Sequence, residues 1–255
     1  MKNVLLVLAH PEPQSLNAHL LHAARDELQA QGHRAVVSDL YALGWKAAVD
    51  GSDFPDRLDP ARLNVVAESG HAWRQGTLTP DVRAEQAKLL EADAVVFQFP
   101  LWWFGMPAIM KGWIERVFAY GLAYGYRNEG NHYRYGEGGL HGKRAMLSVT
   151  TGGPALDYAP RGINGQLDEL LFPITHGTLF YPGMSVLRTH ATYGTGRITP
   201  EGVDAARAAW RQRLQGVFDE TPLPFRAQNG GDFPDGHALA DHVAADRTGF
   251  EAHLA

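Results

Sequence analysis

The sequence predicts an α/β fold in which a five-stranded parallel sheet carries helices on both faces. Three observations lead there. First, Val4–Ala9 and Val95–Phe99 are continuous apolar runs without alternation, the pattern of strands covered on both faces. Second, strand, helix and strand follow one another at βαβ spacing over residues 4–40, which calls for parallel pairing. Third, each apolar run ends in a loop of chemically unusual residues that feeds a helix.

Taken in order, Val4–Ala9 is strand 1. After His10-Pro11-Glu12-Pro13-Gln14-Ser15-Leu16, a helix runs from about Asn17 to Gln31, with Leu20, Leu21, Ala24 and Leu28 on one face and Gly32 as its stop. Ala35-Val36-Val37 is strand 2. Residues 42–80, punctuated by Gly51, Pro55, Pro60, Gly70 and Pro80, form an insertion with a short helix over Asn64–Trp73. Thr79-Pro80-Asp81 caps a helix to about Leu90, and strand 3 covers Ala94–Phe99, where Pro100 stops the run because it has no N–H for a ladder. Met106-Pro107 opens a helix reaching Phe118, with Pro107 in its first turn. Strand 4 is Ala145–Thr150, a helix begins over Gly165–Leu171, Met184–Leu187 is the candidate fifth strand, and a long amphipathic helix spans Glu201–Phe218. Residues 1–218 read as one domain, and 219–255, rich in Pro, Gly and Asp, as an irregular C-terminal extension packed on the domain or on a dimer partner.

In open sheets of this kind ligands bind beyond the carboxyl ends of the strands, so the loops after strands 1, 3 and 4 are the candidate site, in a flavodoxin-like arrangement. The first of these loops holds no glycine, which disfavours a G-x-G-x-x-G dinucleotide site. It offers Ser15 and Asn17 ahead of a helix, where they suit either plain capping or a phosphate held on free N–H groups. His10 suits the same anion or simple packing. Trp102, Trp103 and Phe104 suit a wall for a flat ring or the core of a tight strand–helix turn. The Gly152-Gly153 pair lets backbone approach a ligand or makes a plain turn. Tyr120, Tyr124 and Tyr126 among glycines suggest a shaped surface.

Composition narrows the function. A net charge of −5 without a basic run argues against a nucleic-acid surface. The absence of Cys excludes disulfides, thiolate catalysis and Cys-based metal sites. Of the 12 histidines, His19 with His22 and His237 with His242 lie close in sequence, neither pair with a third ligand, so solvated surface is expected and no metal. No export signal and no membrane span are legible, which makes a soluble cytoplasmic protein the expectation.

Read together, several blocks carry a family resemblance. They are Leu8-Ala9-His10 with Ser15-Leu16-Asn17, Ser38-Asp39-Leu40-Tyr41, Phe97–Leu101 with Trp103-Phe104-Gly105, Lys111-Gly112-Trp113 with Glu115–Phe118, Thr150–Gly153, and Asp219–Leu223. In this order, over residues 4–225, the chain resembles the NAD(P)H:quinone oxidoreductases of the DT-diaphorase type. The resemblance implies a homodimer with FAD near its interface, and hydride transfer from NADH or NADPH through the flavin to a quinone by a ping-pong mechanism. It implies that His10, Ser15, Leu16 and Asn17 serve the pyrophosphate and adenosine side of FAD, and Pro100, Leu101, Trp102, Trp103, Phe104, Thr150, Thr151, Gly152 and Gly153 its isoalloxazine side. Trp103, Phe104, Gly152 and Gly153 then also face the substrate, with Tyr124, Tyr126 and Tyr181 as walls reaching across the dimer, and Asn64 stands where the family often has a Gln from the partner subunit. Tyr158 matches the family's Tyr at the pyrimidine end, and Asn164 stands where the family has a His. Asn can hydrogen-bond but cannot take up a proton near neutral pH. Val203 stands at the family's Arg for adenine, with Arg197 or Arg207 as substitutes, so FMN remains the alternative to FAD. Azo- or nitro-reductase activity on the same scaffold, a flavin-binding ancillary subunit of a potassium efflux system, and a flavodoxin-type carrier are the other readings. The aromatic pocket and the extra length weigh against the carrier.

Overall fold

The computed structural model describes residues 1–127 and 131–255, and at 126, 127, 131 and 132 the backbone alone. The elements that position the site are β1 (Asn3–Leu8), α1 (Leu16–Ala30), β2 (Arg34–Asp39), α2 (Val65–Gln75), α3 (Pro80–Glu91), β3 (Ala94–Pro100) and α4 (Ala108–Val117). A hairpin, β4 (Gly125–Arg127) with β5 (Asn131–Tyr133), precedes β6 (Arg144–Thr150), α5 (Leu167–Leu170), α6 (Phe172–Ile174), β7 (Ser185–Val186), β8 (His190–Thr192) and α7 (Pro200–Gln215). The main sheet is parallel throughout, in the order β2-β1-β3-β6, with β7 and β8 both pairing the outer side of β6.

Alternation along the buried strands divides the core in two. Leu5, Val7, Val95, Phe97, Phe99, Leu147 and Val149 face a cluster with Leu89, Met110, Trp113 and Val117, while Val4, Leu6, Leu8, Val96 and Met146 face Leu20, Leu28, Trp210 and Leu214. Both faces are thus covered by helices, which is why β1 and β3 carry no polar alternation.

The fifth strand position differs from the single strand read at Met184–Leu187. Ser185 and Val186 pair with Arg144 and Ala145, but His190 resumes opposite Ser148, so the edge holds one residue more than β6 over the same span. A bulge of one residue splits the strand. Pro100 is the last residue of β3 rather than a stop before it, and the next N–H, that of Leu101, returns to the ladder at the Thr150 carbonyl. Pro107 stands one place before α4, as its N-cap. The helix expected from Gly165 breaks at Leu171, between α5 and α6, two residues before Pro173, which lacks the N–H for an α-turn onto Glu169. The chain continues through a wide turn, Thr175–Phe180, closed by Tyr181 N–H on the His176 carbonyl. Thr79 precedes α3 without a side-chain capping bond, and its hydroxyl instead accepts from Arg116 at 3.5 Å.

Two histidines pack against aromatic rings, His176 buried and His190 half-buried. His190 lies 4.7 Å from Trp210 and His176 stacks on Phe172 at 4.7 Å. Burial pushes each down to about 4, with His253 adding to the effect at His176 and Arg213 at His190. The native state therefore holds both neutral, while an unfolded chain protonates them below about 6.5. In that window the unfolded chain binds more protons, so stability falls as pH drops from 6.5 through 4. The melting temperature is expected to decline over that range, and a His176→Phe, His190→Phe double variant to decline less. Equal slopes in a pH series of melts would remove these residues as the cause.

Candidate functional site

Four loops converge at the carboxyl edge of the sheet around a groove of about 430 Å³. The β1–α1 loop contributes His10, Leu16 and Asn17, the β3 end Pro100, Leu101 and Trp102, and the β6 end Thr150 and Gly152. The fourth loop, after β8, adds Thr195 and Gly196, which the sequence reading missed. The strand before Gly194-Thr195-Gly196 is too short and too polar to stand out.

The groove has a polar end. Ser15 caps α1, its hydroxyl accepting from Ala18 N–H at 3.2 Å, while Leu16 and Asn17 N–H have no intrahelical acceptor. Asn17 is buried, donates through Nδ2 to Thr150 Oγ1 at 2.9 Å, and leaves its Oδ1 without a partner. A buried acceptor without a partner is costly. His10 Nδ1 accepts from Glu12 N–H at 3.1 Å, so the neutral ring carries its proton on Nε2.

The other end is lined by backbone and rings. A Cβ added to Gly152 would meet nothing within 4 Å, so this strand end presents bare peptide to an open space. Trp103 and Phe104 take φ of +50° and +58°, a conformation costing roughly 1–2 kcal/mol per non-glycine residue. Gly105 N–H closes the turn on the Trp102 carbonyl at 3.1 Å, and Trp103 is left 98% exposed. Backbone strain that presents a bare indole is typical of a ligand loop and atypical of a packing turn.

A model of the flavodoxin-like fold family matches residues 2–214. The chain belongs to that family. It is 47% identical over 90% of its length to a ribosyldihydronicotinamide dehydrogenase-like protein of Penicillium crustosum, of which it covers 86%. Against NAD(P)H dehydrogenase [quinone] 1 of Cavia porcellus the figures are 42%, 88% and 80%. A Klebsiella pneumoniae protein solved as a candidate quinone reductase superposes with a TM-score of 0.95 at 48% identity, covering all of both chains.

Within the flavodoxin-like frame the remaining residues fall outside the groove. Thr151 is buried, its hydroxyl donating to the Gly153 carbonyl at 2.9 Å, which sets the turn. Tyr158 ends a short turn, Ala155–Tyr158, packed on Tyr193 at 5.7 Å between ring centres, and Asn164 is tied there by its N–H on the Asp157 carbonyl at 2.9 Å. Burial, with Asp168 and Tyr158 close by, raises the Tyr193 hydroxyl. Asn64 caps α2, accepting from Ala67 N–H at 3.2 Å. Tyr124 and Tyr181, 5.6 Å apart, line a separate hollow of about 410 Å³, and Phe104 lines a third. These two hollows share Lys111 and Thr178. The Tyr126 side chain lies outside the described residues. Among the described residues no group of three or more His, Asp or Glu is arranged to hold a metal, and no helix is long and apolar enough to cross a membrane.

Proposed function

We propose that the chain is a flavin-dependent NAD(P)H:quinone oxidoreductase that works as an FAD-loaded homodimer. The observation that carries it is the two-ended groove, with the open Leu16 and Asn17 N–H groups at one end and bare glycine backbone at the other. Those features fit a flavin. His10, Ser15, Leu16 and Asn17 would hold its phosphate side, and Pro100–Phe104 with Thr150–Gly153 its ring. When bound, the flavin accepts hydride from a reduced nicotinamide and passes it to the quinone.

The protein's own task is to orient and to stabilise charge. Leu16 and Asn17 N–H groups donate to anionic oxygens. The peptide edge at Thr151–Gly153 allows close approach of a flat ring, and Trp103 offers a surface on which a flat substrate stacks. Tyr158 supplies a hydroxyl donor near that edge. Asn164 holds no proton to give, so the proton a quinone needs comes through Tyr158 or from water. Tyr158→Phe is expected to lower kcat about tenfold, with the KM for the nicotinamide unchanged. Steady-state kinetics with menadione would show it, and an unaltered kcat would exclude the hydroxyl.

The names of the relatives at 42–47% identity support a reduced nicotinamide as donor and a quinone as acceptor. The exposed Trp103 and the adjoining hollows lined by Phe104, Tyr124 and Tyr181 support a second copy covering that face. Three measurements test the reading. The purified protein should be yellow and release FAD on denaturation, as weighed by mass spectrometry. It should oxidise NADH or NADPH rapidly with menadione. Light scattering should give twice the 28.0 kDa chain mass. A colourless protein that no flavin reconstitutes would overturn it.

A further inference from the structure

The C-terminal segment 219–255 closes another cavity, of about 240 Å³, that shares no lining residue with the carboxyl-edge groove. Its polar walls are Arg134, His176, Arg226, Gln228, His237 and His253, and among the described residues no carboxylate lines it. Arg226 is already committed, with Nη1 on Asp232 at 2.6 Å and Nε on the Ala252 carbonyl at 3.0 Å. Arg134 is not. Its Nε donates to Gln228 Oε1 at 2.8 Å, and among the described residues no carboxylate pairs with it. Gln228 is itself only 5% exposed, and its N–H donates to the Tyr135 carbonyl at 3.1 Å.

The backbone that delivers Arg134 is strained. Tyr135 takes φ +46° and is held from both sides, its N–H on the Tyr181 carbonyl at 2.7 Å and its ring stacked on His176 at 5.0 Å. A bulky residue in that conformation costs roughly 1–3 kcal/mol and persists where neighbours enforce it. Here the enforced turn sets a guanidinium without a carboxylate partner into a half-enclosed space beside a second guanidinium and three imidazoles. Arg134 is half-buried, and its guanidinium fork matches phosphate or carboxylate oxygens two at a time.

We propose that this cavity is a binding site for a phosphate monoester, with the Arg134 fork as principal donor and Arg226, His237 and His253 completing the shell. Phosphate is favoured over carboxylate because donors converge from several walls, and three oxygens accept more of them than two. Tyr135 and Phe233 leave an apolar flank for the organic part of the ester.

The test uses the purified full chain at fixed ionic strength, titrated by calorimetry with inorganic phosphate and with ribose 5-phosphate. Arg134→Gln is expected to weaken binding at least tenfold, and Arg134→Lys, which keeps the charge and loses the fork, by less. Flavin content and melting temperature should not change, since Arg134 makes one side-chain bond. His237→Ala, at an exposed position, gives an independent variant with an expected loss of about threefold. Tighter binding of ribose 5-phosphate than of inorganic phosphate assigns the aromatic flank to the sugar. Equal binding would assign the site to the free anion and overturn the ester. No saturable binding, or binding that Arg134→Gln leaves unchanged, overturns it. Phosphate held at the N-terminus of α1 instead would be blind to Arg134, so failure here is distinct from failure of the flavin reading.

Discussion

Gly152→Leu is expected to give a folded protein that retains no flavin. The substitution separates the needs of the fold from those of the site. A Cβ at Gly152 meets nothing within 4 Å, and its φ lies outside the left-handed region, so the polypeptide alone tolerates a side chain there. Surface substitutions of that kind usually move stability by less than about 0.5 kcal/mol. The same four-carbon side chain would occupy the open groove that Gly152 shares with Asn17, Leu101 and Thr195. If the ring of a flavin lies along this backbone edge, the leucine takes its place and affinity falls at least 100-fold, about 2.7 kcal/mol. Flavin absorbance per polypeptide after gel filtration measures the loss, and the melting temperature of the flavin-free protein measures the fold. A variant that keeps stoichiometric flavin would move the ring elsewhere. A variant that fails to fold would mean the groove is packed more tightly than the geometry indicates, and Gly152→Ala then provides the milder step.

Much of this arrangement was legible in the residues because burial on two faces leaves a plain signature. Val4–Ala9 and Val95–Phe99 are uninterrupted apolar runs, and in the structure their alternate residues enter two separate cores. The loops beyond such strands were legible for the same reason, since the point where an apolar run stops is the point where the chain leaves the sheet. His10, Asn17, Trp102, Thr150 and Gly152 accordingly lie together. The edge was not legible. His190–Thr192 is half exposed, three residues long and displaced by a bulge, so neither periodicity nor composition marks it, and Thr195 and Gly196 went unread with it. Pro173 hid the wide turn after α6, because a proline within a helical pattern signals a break without fixing the conformation of the residues beyond it. Asn64 and Tyr181 entered as site residues only through the family resemblance, and they and Tyr124 lie on surfaces away from the groove.

The insertion over residues 42–80 looked irregular because buried charges, rather than a periodic face, organise much of it. Arg116 on α4 is 5% exposed, and its guanidinium reaches Asp53 Oδ1 through Nε at 2.9 Å, Asp81 Oδ2 through Nη2 at 2.6 Å and the Lys46 carbonyl through Nη1 at 3.1 Å, with the Trp45 ring 4.4 Å away. One side chain therefore ties three separate segments to α4, and the Arg116 guanidinium contributes to holding the Asp81 carboxyl below its usual range. Arg116→Met keeps the length and apolar stem but strands the Asp53 carboxylate, which is 2% exposed and retains only Lys46 as a charged partner. Breaking a buried pair from one side costs about 3–5 kcal/mol, a large part of a total stability of roughly 5–15 kcal/mol. Denaturant unfolding is expected to show a loss of that size. Adding Asp53→Asn should recover part of it by removing the stranded charge, which a purely steric role for Arg116 would not allow. Because α4 directly follows the Trp102–Gly105 turn, loosening the insertion should also lower flavin retention in Arg116→Met and restore it partly in the double variant. A double variant no more stable than Arg116→Met alone would show that packing of the arginine stem, and not its charge, joins the insertion to the domain.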